Sequence, residues 1–234
     1  MKTLVACLFL FLSSAAHALV PGSSIPNAHV IYNAGDAAVI RGKAPANKKQ
    51  MAELLALGVE EFLIFKNETK GEVAKQILTL QSLGLAQNDI THIPFLWKDL
   101  HDFKSSCQMT IQALRTIEKA LQNNKSIYFH CTVGEDRTGY LAGLWGLWAG
   151  TYKTVRQSVR EELCARGYEA GNPRKPYPNV VFKIRETLTP TYLKMTILLG
   201  HAKKQRLSLD EAWCEQEPEL NMNLEGFYCS TNGR

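Results

Sequence analysis

Ten consecutive residues, His130-Cys131-Thr132-Val133-Gly134-Glu135-Asp136-Arg137-Thr138-Gly139, lie between an apolar strand pattern and an apolar helical run, a combination that few architectures accommodate. Residues 126–129 read as a short buried strand, and residues 140–149 as a helix closed by Gly150. The segment is therefore expected to be a strand-loop-helix junction.

A loop wrapped over a helix N-terminus directs backbone N–H groups into one concavity, and the helix dipole adds partial positive charge there, so an oxyanion can be held without a metal. The same field favours the thiolate of Cys131. A free cysteine titrates near ~8.5, and helix N-termini with adjacent cations lower that to roughly 3.5 to 7.5. Arg137, six residues on, can fold back and offer its planar fork to two phosphate oxygens, a contact that lysine does not reproduce. Gly134 lets the backbone turn, and Gly139 is expected to allow close packing of helix against strand. These residues point to phosphate-ester chemistry at a cysteine. Thr132, Val133, Gly134, Glu135, Asp136 and Arg137 would line the anion.

The segment resembles the active-site signature of the protein tyrosine phosphatase superfamily: His-Cys, five residues, Arg, then Ser or Thr. Within that group it is most similar to loops reading His-Cys-x-x-Gly-x-Asp-Arg-Thr-Gly. Many of those relatives carry lysine where Glu135 stands, so that cation is absent here. The resemblance implies that Cys131 attacks phosphorus, that Arg137 binds the phosphate and the transition state, that Thr138 helps the thiolate leave, and that His130 orients the loop from behind. It implies neither cofactor nor metal. A weaker likeness to compact dual-specificity phosphatases runs upstream, through Ile40-Arg41-Gly42-Lys43-Ala44-Pro45 and Leu57-Gly58-Val59-Glu60-Glu61-Phe62-Leu63-Ile64, so the match is placed over residues 37–166.

Residues 1–18 have another character. Lys2 precedes a short apolar run and then Ala16-His17-Ala18, the pattern of a secretory signal peptide with a cleavage site before Leu19. The apolar run is too short to span a bilayer, which takes ~20 residues. A secreted or periplasmic protein without stable membrane insertion is expected. Loss of Lys2 takes the net charge from +5 to +4, too mild a surplus to imply nucleic acid as a partner. Residues 19–234 are read as one domain, with a core over about 37–187 and a C-terminal extension over 188–234.

Five cysteines follow the signal: Cys107, Cys131, Cys164, Cys214 and Cys229. An odd count in an exported chain predicts one unpaired thiol, and the signature assigns it to Cys131. The other four allow up to two disulfides, with Cys214–Cys229 favoured because both lie in a polar tail; four reduced cysteines are the alternative.

Strand patterns at residues 37–42, 61–66 and 90–95 alternate with helical patterns at 47–57, 69–83 and 103–121. This order predicts an α/β domain, a mostly parallel sheet with helices on both faces, in which ligands bind beyond the carboxyl ends of the strands. Residues 192–200 suit a helix packed on the core, and residues 206–234 a polar tail or a disulfide-held cap.

The superfamily resemblance places an aspartate, the general acid, on the loop before the long helix. Asp99, near mid-loop, is preferred to Asp102, which stands where helix-capping is the commoner use. Trp97 would frame the pocket or simply pack, and His92 and His101 read as surface or structural histidines. Lys153, Arg156 and Arg160 recur at helical spacing, with Arg174-Lys175 beyond; they form a solvated face or, near the mouth, a basic rim. The expected partner is a phosphorylated substrate: a phosphotyrosine, phosphoserine or phosphothreonine protein, or, as in phytase-like members of the superfamily, an inositol polyphosphate. Two other readings stay open: a phosphate-binding pseudophosphatase without turnover, and a redox role pairing Cys131 with a second cysteine.

Overall fold

The computed structural model describes residues 22–96, 100, 102–170 and 177–229, with Tyr177 by its backbone alone. The expected signal segment, Asp99, Trp97, His101 and Arg174-Lys175 lie outside these residues.

The chain builds a five-stranded sheet from β1 (His29–Ala34), β2 (Ala37–Gly42), β3 (Val59–Phe65), β4 (Ile90–Ile93) and β5 (Ser126–His130), in the order β1-β2-β5-β3-β4. β1 and β2 form an antiparallel hairpin, while the β2–β5, β5–β3 and β3–β4 pairs are parallel. The sheet is thus mostly parallel, as the alternation predicts. β1 is absent from the sequence expectations, although its β-branched residues and the following Gly35 at positive φ are hairpin features.

Helices cover both faces. Side chains of successive strand residues point to opposite sides, so Tyr128, Phe62 and Ile64 meet α1 (Lys48–Ala56) and α2 (Glu72–Ser82) in one cluster with Leu54 and Leu80. Ile127, Phe129, Leu63 and Phe65 meet α3 (Phe103–Gln122) and α4 (Asp136–Ala149) in another, through Ile111, Leu114 and Leu141. Every residue of β5 is buried. The central strand therefore delivers the 130–139 segment to the middle of the sheet's carboxyl edge.

Beyond α4 come α5 (Val155–Ser158), a wide turn (Val159–Leu163), a tight turn (Cys164–Arg166), α6 (Tyr177–Lys183) and α7 (Thr189–Gln205). α7 begins ahead of the apolar pattern at residues 192–200, with Pro190 in its first turn, where a missing N–H is tolerated. It packs on α4, with Tyr192 edge-on to Tyr140 and within 2.9 Å of the Ser158 hydroxyl.

The tail is disulfide-held, but not through Cys214–Cys229. Cys214 pairs with Cys107 on α3, and Cys229 with Cys164 in the turn after α5. The physical reason is that the tail lies along two different elements. Its turn Glu211–Glu215 docks on α3, where Lys104 and Arg115 pair with Glu215 and Glu211, and its turn Leu224–Phe227 lies under Arg156, 5.2 Å above the Phe227 ring. Each tail cysteine thus faces a core cysteine. Replacing Cys107 and Cys214 together by serine removes a cross-link over 107 residues of sequence. The unfolding free energy should fall by about 2–4 kcal/mol, seen as a lower denaturant midpoint; an unmoved midpoint would rule out the bond as a structural tie.

Candidate active site

The helical pattern in the sequence starts at Tyr140, whereas α4 itself starts at Asp136. The Gly139 N–H bonds to the Glu135 carbonyl at 2.5 Å, and acidic Asp136 in the first turn suits the positive end of the helix. Arg137 and Thr138 consequently belong to that first turn. Cys131, 2% exposed, sits between the end of β5 and this helix N-terminus. Its N–H donates to the Thr138 hydroxyl at 2.8 Å, tying the two ends of the loop together. Gly134 holds φ +76°, and a Cβ there would stand 2.5 Å from the Lys43 nitrogen, so this turn admits no side chain. At Gly139 the nearest approach to such a Cβ is 3.6 Å, an ordinary contact, so the close packing expected there is not what glycine serves.

Burial alone would push the Cys131 thiol up. The Arg137 guanidinium, hydrogen bonds from Thr138 and the Gly134 N–H outweigh it, and the net shift is downward from the ordinary range of a thiol. Arg137 is fixed from three elements. One guanidinium nitrogen donates to Asn67 Oδ1 at 3.1 Å and the Phe95 carbonyl at 3.2 Å, and the other to the Thr132 hydroxyl at 3.1 Å. His130 is fully buried beneath the loop, 2.9 Å from the Cys131 carbonyl through Nδ1 and 2.7 Å from the Gln76 amide through Nε2. Burial lowers its pKa to about 4, so the ring is neutral at physiological pH. A ring protonated at Nδ1 satisfies both contacts, and this is the position from which the ring can orient the loop.

Glu135 and Asp136 turn away from the anion position. Glu135 packs on Gly167, whose added Cβ would lie 2.9 Å from its carboxyl carbon. Asp136 is buried, accepts the Glu169 N–H at 3.0 Å, and is raised by burial to about 7. Asp102 serves as the N-cap of α3, accepting from Lys104 and Ser105 N–H groups. His92 lies 2.7 Å from the Lys66 carbonyl, a structural contact.

One set of positioning groups has no counterpart in the sequence expectations. Arg41, fully buried at the end of β2, donates to the Gly134 carbonyl at 2.5 Å and to the Glu162 carboxylate at 2.6 Å. Asn27 donates to the same Gly134 carbonyl at 2.8 Å. Glu162 also receives the Tyr152 hydroxyl at 2.8 Å and lies 3.3 Å from His29. Although its own burial pulls the other way, these partners hold the Glu162 carboxyl at about 2. The one sequence signal was an arginine inside an apolar strand.

Of the anticipated basic rim, the three described residues are engaged away from the loop. Arg156 covers Phe227, Arg160 pairs with Glu161, and the Lys153 ammonium bonds the Gly150 carbonyl. The groove that does open beside the loop, about 780 Å³, is lined by Thr132 and Val133 together with Lys43, Lys48, Lys66 and Lys75. The redox reading lacks a partner, since the other four described cysteines are bonded to one another.

Among solved structures, the chain is similar to TpbA of P. aeruginosa, with 19% identity, a TM-score of 0.47, and coverage of 78% of this chain and 98% of that one. It is also similar to Tk-PTP in the active form (17%, TM-score 0.46, 69% and 97%). A third likeness is to the core catalytic domain of the PP-IP phosphatase SIW14 from S. cerevisiae (18%, TM-score 0.44, 68% and 85%). No curated protein matches the chain. The model of the tyrosine phosphatase family matches residues 44–157, a span that takes in the loop from Cys131 to Thr138, α4 and the lining of the lysine groove apart from Lys43. Over that segment the chain is similar to the tyrosine phosphatase family.

Proposed function

We propose that the chain is an exported phosphomonoesterase that works through a phosphocysteine, on phosphorylated proteins or inositol polyphosphates. The observation that carries this reading is the free Cys131 thiol at the N-terminus of α4, with its N–H tied to the Thr138 hydroxyl and the loop braced by Arg137 through Thr132. The thiolate attacks phosphorus as the P–O ester bond breaks, and the leaving oxygen takes a proton from the general acid. Water, giving a proton back to the same carboxylate, then attacks the phosphocysteine as the S–P bond breaks, releasing inorganic phosphate and restoring the thiolate, with the Thr138 hydroxyl stabilising the departing sulfur. Arg137 and the loop amides neutralise the equatorial oxygens in both steps. Two disulfides in the described chain support the exported setting. Acid quench of a single turnover, followed by peptide mass analysis, should find one phosphate on the peptide bearing Cys131; phosphate release with no such adduct would sink the mechanism.

Asp99 is the proposed general acid, because Asp102 already holds a structural post at the head of α3. Asp99→Asn should slow turnover of an alkyl phosphate by about 10²-fold and of an aryl phosphate, whose leaving group needs less protonation, by far less. Asp102→Ala should instead cost about 1 kcal/mol of stability. Exchange of those two outcomes would reverse the assignment.

A further inference from the structure

We propose that the groove beside the catalytic loop is a second-anion subsite, and that the substrate is a compact small molecule carrying at least two phosphate groups. This deepens, and rests on, the phosphatase reading above. The groove begins at Thr132 and Val133 and runs between the segment after β2 and the face of α2. Four separate places in the fold send a lysine to its lining: Lys43 after β2, Lys48 at the start of α1, Lys66 just beyond β3 and Lys75 in α2. Among the described lining residues a single carboxylate, Glu72, opposes them.

Lysines scattered over a surface are ordinarily solvated, yet these converge on one concavity next to a thiolate loop. Holding like charges together is unfavourable unless an anion joins them. Lys66 sharpens the point. It is 3% exposed, and its ammonium meets the Glu72 carboxylate at 3.1 Å, a partner that is itself half in water. A buried cation with so wet a counter-ion is incompletely compensated, and a phosphate oxygen in the groove would complete its shell.

The shape and chemistry of the groove favour a small polyphosphate over a phosphotyrosine side chain. About 780 Å³ is in the range of small-molecule sites, and the charged groups among its described lining residues are four lysines against one carboxylate. Glu135 does not cancel the field, since its carboxylate is folded against Gly167 on the other side of the loop.

The test compares kcat/KM for myo-inositol hexakisphosphate with that for p-nitrophenyl phosphate, in the wild-type protein and in a Lys48→Ala/Lys75→Ala variant at two exposed positions. The expected result is wild-type turnover of both probes, and a fall in the ratio of the two constants of about tenfold or more in the variant, mainly through KM. Added salt should raise the wild-type KM for the hexakisphosphate much more than that for the aryl ester. A ratio unchanged within twofold overturns the subsite, as does wild-type preference for a phosphotyrosyl peptide over the hexakisphosphate. Turnover of the aryl ester alone overturns the substrate class and leaves the phosphatase reading standing. Turnover of neither probe overturns that reading itself.

Discussion

Replacing Cys131 with serine is expected to lower phosphate release by about 10⁴-fold or more while leaving oxyanion binding in place. Hydroxyl and thiol differ little in volume, so the Cys131 N–H to Thr138 bond and the Arg137 contacts should survive the change. What is lost is ionisation: the surroundings that lower a thiol's pKa act on a far weaker acid in serine. Two measurements read the two halves of the claim, turnover of an aryl phosphate and calorimetric binding of vanadate or phosphate. Unchanged turnover would remove Cys131 from the chemistry. The same physics sets the pH dependence in the wild-type protein. Because the Cys131 pKa lies below its ordinary value, the ultraviolet absorbance of the thiolate should appear at a lower pH than that of a free cysteine, ~8.5, and the acid limb of kcat/KM should follow it. The titration is clean in principle, since Cys131 is the free thiol of the described chain. An inflection above ~8.5, the value of a free cysteine, would mean that burial, not Arg137 and Thr138, governs the sulfur.

How much of this was legible beforehand depends on the distance over which each feature is encoded. The catalytic loop is local: strand, turn glycine and helix lie within about 25 residues, and their order could be read directly. The parallel sheet followed from the alternation of apolar strands with amphipathic helices. Features built from distant partners did not emerge. The start of α4 at Asp136 depends on capping within an irregular polar loop, which apolar periodicity does not register. The disulfides join residues 107 and 65 positions apart, and two tail cysteines close in sequence suggested the wrong pair. β1 is a short edge strand with a register shift near Val30 and Tyr32, which blurs its alternation. Arg41 and Glu162 lie 121 residues apart. A charged residue inside an apolar strand was a sign that it has a buried partner, but nothing in the sequence said which carboxylate would meet it.

That buried pair yields the second large effect. Arg41→Met should destabilise the protein by about 3–5 kcal/mol, because it strands the Glu162 carboxylate in the interior, and should also slow turnover on the order of 10²-fold by freeing the Gly134 carbonyl and the loop with it. The two consequences can be separated. Adding Glu162→Gln removes the stranded charge and should recover much of the denaturant midpoint, but it leaves Gly134 without its arginine donor, so turnover should stay low. pH separates them again. The Glu162 carboxyl is held at about 2 against an ordinary 4.5. A carboxyl lowered on folding stabilises fully above its unfolded pKa and loses that contribution as pH falls through its folded one. The stability gap between wild type and Arg41→Met should therefore narrow as pH falls from the value at which the unpartnered Glu162 carboxyl of the variant protonates toward about 2, where that of wild type does. Parallel stability curves across that window would show that Arg41 acts through packing alone. Recovery of turnover in the double variant would show that Asn27, which also donates to Gly134, suffices to hold the loop.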